Sequence, residues 1–159
     1  MNLAELLHED GPAIVNDAWN AVALMEHYRR DGEAVTRHRV EALYTQVVHA
    51  VQTLDLDGLL SHVRRVAQER FAAGFELSEL RTAFVMLEES IYRRALARLR
   101  REDASWGLAL VTTAFTQARL ALGQTFEALP AAQPTAVDLS VLFRRSERPH
   151  AVEDLVYPV

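Results

Sequence analysis

VAQERFAAGFELSELRTAFVMLEESIYRRALARL, residues Val66 to Leu99, joins two long amphipathic helices through Arg70, a glycine four residues on and Leu77 three later. Before the junction, Leu59, Leu60, Val63, Val66, Ala67 and Phe71 recur at helical spacing, and Gly74 has the position of a C′ residue in the left-handed conformation. After it, Leu80, Phe84, Leu87, Ile91, Ala95 and Leu99 hold the 3.6-residue period for about six turns. Glu79 falls in the first turn of the second helix, where the dipole favours a carboxylate. Arg70 falls in the last turn of the first, within reach of free carbonyls or of a carboxylate such as Glu88.

The same periodicity extends in both directions. Asn2 and Glu5 form a capping box for a short opening helix, stopped by Asp10-Gly11-Pro12. A first long helix is predicted from about Pro12 to Arg29, with Ile14, Trp19, Val22 and Met25 on one side, and Asp31-Gly32 ends it. A second is predicted from about Ala34 to Leu54, buried along Val40, Leu43, Tyr44, Val47, Val51 and Leu54. The last, from about Ser105 to Leu129, is apolar on two faces, which implies burial by more than one neighbour. It is either the central helix or one shared with a second subunit, and Leu110, Ala114, Ala121 and Thr125 mark the candidate dimer face. Trp19 and Trp106, both near helix beginnings, read as core.

Residues 130–159 differ in character. Pro130, Pro134, Pro149 and Pro158 punctuate a tail with little periodicity. Leu139, Leu142, Phe143, Leu155 and Tyr157 are short apolar anchors suited to packing back on the bundle or docking on a partner. The organisation is therefore a helical domain over residues 1–129 followed by this tail. The fold class is all-α, a five- to six-helix antiparallel bundle or a globin-like domain.

Composition narrows the function. Half of the 159 residues are apolar, enough for one core. All 17 basic residues are arginine, and a net charge of -5 argues against a nucleic-acid coat. There is no cysteine, hence no disulfide, thiolate metal site or cysteine nucleophile. No basic region precedes a long apolar run and no stretch has the length of a membrane span, so a cytoplasmic protein without a membrane association is expected.

Catalytic machinery is not visible. There is neither a nucleophile elbow nor a phosphate-binding glycine loop. Two Glu-x-x-His pairs, Glu5 with His8 and Glu147 with His150, have the spacing of di-metal bundles, but one lies in the short opening helix and the other spans Pro149. His38 and His49 share a face with Glu41 that is otherwise polar and reads as solvated. Neither catalytic nor metal residues are expected, and a metal-dependent enzyme would need bound iron, manganese or zinc.

The run Arg70-Phe71-Ala72-Ala73-Gly74-Phe75-Glu76-Leu77, followed by Glu79-Leu80, resembles the N-terminal sensor domain of RsbR/RsbD-type co-antagonists, with Trp19 and the helix order in support over roughly residues 10 to 129. The resemblance implies a bacterial signalling domain, globin-like or a bundle, usually dimeric, that senses or docks without catalysis. Members usually carry an output module after the sensor, so the resemblance implies either a free-standing version or an output partner that is a separate protein, docked through the tail. In haem globins the proximal histidine precedes the corresponding glycine by four residues; Arg70 stands there, and a guanidinium cannot ligate iron, so the resemblance implies a non-haem domain with no cofactor. His62 is out of register with that position and reads as a surface residue. Two roles stay open for Arg70, ligand contact and structural corner. The leading expectation is a regulatory homodimer acting by protein contact; the other is a small-molecule sensor with an inter-helix pocket lined by Phe84, Met86 and Phe115.

Overall fold

The structure, a computed structural model, describes residues 1–132, and the helices among them are α1 (Leu3–Glu9), α2 (Gly11–Val22), α3 (Glu26–Asp31), α4 (Glu33–Thr53), α5 (Asp57–Ala72), α6 (Leu77–Arg98) and α7 (Arg101–Ala132). No strand occurs among the described residues. The chain divides into a compact unit, Met1–Glu127, and a second, Ala128–Val159. The anchors Leu139, Leu142, Phe143, Leu155 and Tyr157 lie outside the described residues.

Local chemistry accounts for most of the boundaries. At α1 the Asn2 N–H donates to Glu5 Oε2 (2.8 Å) and the Glu5 N–H to Asn2 Oδ1 (2.9 Å), a reciprocal cap. Pro12, in the first turn of α2, sits where a missing N–H removes nothing. At the end of α5 the Gly74 N–H donates to Phe71 O (3.1 Å) and the Phe75 N–H to Arg70 O (3.0 Å), the two bonds of a Schellman turn, with Gly74 at φ 85°. Glu79 Oε1 then accepts from the Glu76 N–H (3.0 Å), closing the start of α6.

Two boundaries depart from the expectation. The helix predicted from Pro12 to Arg29 is in fact two, broken over Ala23–Met25. No glycine or proline marks the break; the chain turns there so that Tyr28 is buried and its carbonyl accepts from the Thr36 hydroxyl (3.1 Å), also buried. Leu24 is left 85% exposed by that turn. The last helix begins at Arg101 and ends at Ala132, so it starts earlier than Ser105 and runs past Leu129 through Pro130. Glu102 and Asp103 in its first turn favour the early start.

The core lies where α2 crosses α6, with α4 against α2, α5 and α6. Ile14, Ala18 and Val22 of α2 meet a surface of Leu87, Ile91 and Ala95 on α6, all essentially inaccessible. Small residues permit this approach, and buried Ser90 donates from its hydroxyl to Ile14 O (3.2 Å). Helix α7 runs antiparallel to α6, since Tyr92 meets Thr112, Glu88 meets Arg119 and Arg81 meets Gly123. It also meets α1 through Gly107, where a Cβ would come within 3.0 Å of Leu3, and α5 through the edge-to-face pair Phe71–Phe126. The two-faced apolar pattern of α7 is thus used by several neighbours of its own chain.

Candidate functional site

Arg70 continues the buried stripe Leu59, Val63 and Ala67 of α5 and is only 9% exposed. It opens onto a cavity of about 330 Å3 bounded by α3, α4, α5 and α6. The apolar wall is Val40 and Leu43 from α4, Val66 from α5, and Leu80, Ala83, Phe84 and Leu87 from α6. The polar part is Tyr28, Arg39, His62, Arg65, Glu69 and Arg70, with His38 at the rim; His38, Arg65 and Glu69 are exposed and form the mouth.

Phe75 organises the cationic end. Its ring is 3% exposed and lies edge-on to Tyr28 at 5.2 Å and tilted to His27 at 5.1 Å. The guanidinium carbons of Arg30 and Arg39 stand 5.7 Å from its centroid, and that of Arg70 stands 5.8 Å away. Each such contact is worth about 0.5–2 kcal/mol, which helps a buried cation without neutralising it. Arg39 donates to Asp31, whose carboxyl is held below its usual range first by that bond and also by Arg30. Arg30 also reaches Ala73 O (3.2 Å), tying α3 to the end of α5.

Arg70 is different. Its nearest carboxylate is Glu69, at 3.8 Å and more than half exposed, and its guanidinium makes no hydrogen bond to another group among the described residues. Burial, and next the Arg39 charge, push it down from the ordinary arginine value, although a guanidinium stays charged at any physiological pH. Burial, with Arg65 next, likewise lowers the His62 imidazole, which accepts at Nδ1 from Arg65 (3.1 Å) and is neutral near pH 7. Burial raises the Tyr28 phenol to about 12, so it keeps its proton.

The structure relocates several expected residues. Arg70 and Gly74 form the corner as expected, but Glu88 is not their partner: it is bound to Arg119 of α7. Phe84 lines the cavity, whereas Phe115 is fully buried in the core and Met86 packs against that core, neither bordering the cavity. Within the proposed dimer face Ala114 and Ala121 are buried inside the chain, and Leu110 and Thr125 are half-buried. His62 is half-buried at the cavity, and Trp106 is 69% exposed instead of core. Trp19 is half-buried under Arg37. The residues missed, Tyr28, Arg39, Arg65 and Glu69, come from three helices. Only the i to i+4 relation of Val66 to Arg70 hinted that one face of α5 combines apolar and charged side chains.

Among the described residues no group of three or more His, Asp or Glu is placed to hold a metal ion, and no helix is long and apolar enough to cross a membrane. No protein family, curated protein or solved structure matches this chain.

Proposed function

We propose that this chain is a non-enzymatic signalling domain that takes up a small molecule in the cavity between α4, α5 and α6 and passes the result on by protein contact. One observation carries the reading: a buried arginine with no strong partner opens onto a mostly apolar cavity. The Arg70 guanidinium rests on Phe75 with only the loose Glu69 contact, so its donors are available to a polar or anionic group that enters the cavity. A volume of about 330 Å3 falls at the small end of the range for ligand pockets. The resemblance of residues 70–80 to RsbR/RsbD-type sensor domains supports the same assignment, and on this reading the globin-like corner holds a ligand other than haem.

Native mass spectrometry of the freshly purified protein tests the uptake. Wild type should retain a non-protein mass that is released on denaturation, and Ala83→Phe, which fills the cavity from α6, should lose it. A wild-type spectrum with no retained mass counts against the proposal.

A contact surface is suggested by α7. Between Asp103 and Glu127 its one charged residue is Arg119, which is engaged with Glu88. Trp106, Ala109, Thr113, Thr116 and Leu120, spaced alternately three and four apart, are all exposed, the seam pattern of paired helices. Homodimerisation through this face, rotated from the one expected, is the second part of the reading.

A further inference from the structure

We infer that the cavity's ligand is an amphipathic monocarboxylate, its head group between Arg70 and Arg39 and its short hydrocarbon chain along Leu43, Val66, Ala83 and Phe84. This rests on the cavity being a ligand site and adds the chemical class of the ligand.

Charge selects an anion. The polar wall holds three arginines against one glutamate, Glu69, in a chain whose net charge is -5. Asp31 occupies Arg39 only in part, from the α3 side. Arg70 and Arg39 converge on one Phe75 ring, so each raises the electrostatic energy of the other until an anion lies between them. A cleft with low-dielectric walls strengthens that attraction. Tyr28 keeps its hydroxyl proton and can donate to the same anion.

The apolar wall selects a tail. An inorganic anion would leave Leu43, Val66, Leu80, Ala83, Phe84 and Leu87 facing water, whereas a hydrocarbon chain covers them at about 0.8 kcal/mol per methylene. A cavity of about 330 Å3, at the small end of the range for ligand pockets, suits a short chain such as that of octanoate rather than a long one. A larger hollow of about 450 Å3 among α1, α2 and α4 lacks this combination, because it contains a single arginine, Arg37, rather than a converging group.

The test titrates the full chain, after removal of any retained ligand, with octanoate, 1-octanol and octylammonium below their aggregation limits, followed by amide chemical shifts in α4, α5 and α6. Wild type should bind octanoate about ten- to a hundredfold more tightly than octanol, the worth of one charge-assisted hydrogen-bonded contact. Arg70→Met should reduce that preference severalfold while octanol binding is kept; should that variant not fold, Arg39→Gln should reduce the same ratio. Octanol binding as tightly as octanoate in wild type, tighter binding of octylammonium, or a preference that survives both substitutions overturns the carboxylate and leaves the cavity as a ligand site. Failure of all three probes to shift any cavity residue overturns the ligand site itself.

Discussion

At Gly74 one residue sets the direction of two helices. Its φ of 85° lies in the left-handed region, where a Cβ meets the following carbonyl, yet the nearest neighbour a Cβ would meet is His27 at 4.0 Å. The strain in a substitution is therefore conformational, not steric crowding, and Gly74→Ala should cost about 1–2 kcal/mol in urea denaturation with no change in the slope of the transition. This residue was legible in the sequence because the Schellman turn is a local device, satisfied by atoms within five residues of one another. The partner of Arg70 was not legible. Glu88 lies eighteen positions away on the next helix, and whether it meets Arg70 or Arg119 depends on where α7 crosses α6.

The helices themselves are read well when one stripe of apolar residues packs on one partner, as along α5 and α6. The pattern misleads where tertiary contacts override it. The run Ala18 to Met25 keeps a helical period without a breaker, but burying Tyr28 and bonding Thr36 to its carbonyl requires the chain to turn between α2 and α3. In α7 the periodicity distinguishes neither its buried faces from the open one nor its own chain from a partner. Its exposed face is made less polar than its composition suggests, since the Thr112 and Thr113 hydroxyls bond back to Leu108 O (2.8 Å) and Ala109 O (2.9 Å). If this face joins two copies, wild type should sediment as a dimer, and Trp106→Glu with Leu120→Glu should give a monomer. Each exposed substitution should change the stability of the folded monomer by no more than about 0.5 kcal/mol. A wild-type monomer at micromolar concentration would remove the homodimer from the reading.

Over the whole molecule, titration separates the cavity from the corner that supports it. His62 is held below the ordinary histidine value by burial and Arg65, so the unfolded chain binds its proton more readily than the folded one. Its contribution to stability is complete above about pH 6.5, declines as the pH falls, and is lost once the pH passes below the folded value. Asp31, bonded to Arg39, and Glu79, kept low despite burial by the Glu76 N–H and by His27 at 2.6 Å, act in a second window, contributing above about pH 4 and lost below it. Lowering the pH from 7.5 to 5.5 should thus reduce the urea midpoint of wild type, and His62→Gln should flatten that first decline while leaving the acid transition in place. An unchanged first decline in the variant would show that His62 does not carry it.

The all-helical character, the capping of α1 and the tight corner at Gly74 were determined by the sequence itself, because hydrogen bonds and apolar repeats within a few turns are enough to specify them. The cavity, the gathering of Arg30, Arg39 and Arg70 around Phe75, and the face of α7 that stays open were decided only by the tertiary structure. These features depend on the angles and registers at which α3 to α7 cross. Close packing sets those angles through contacts between residues far apart in the chain, which no local pattern encodes.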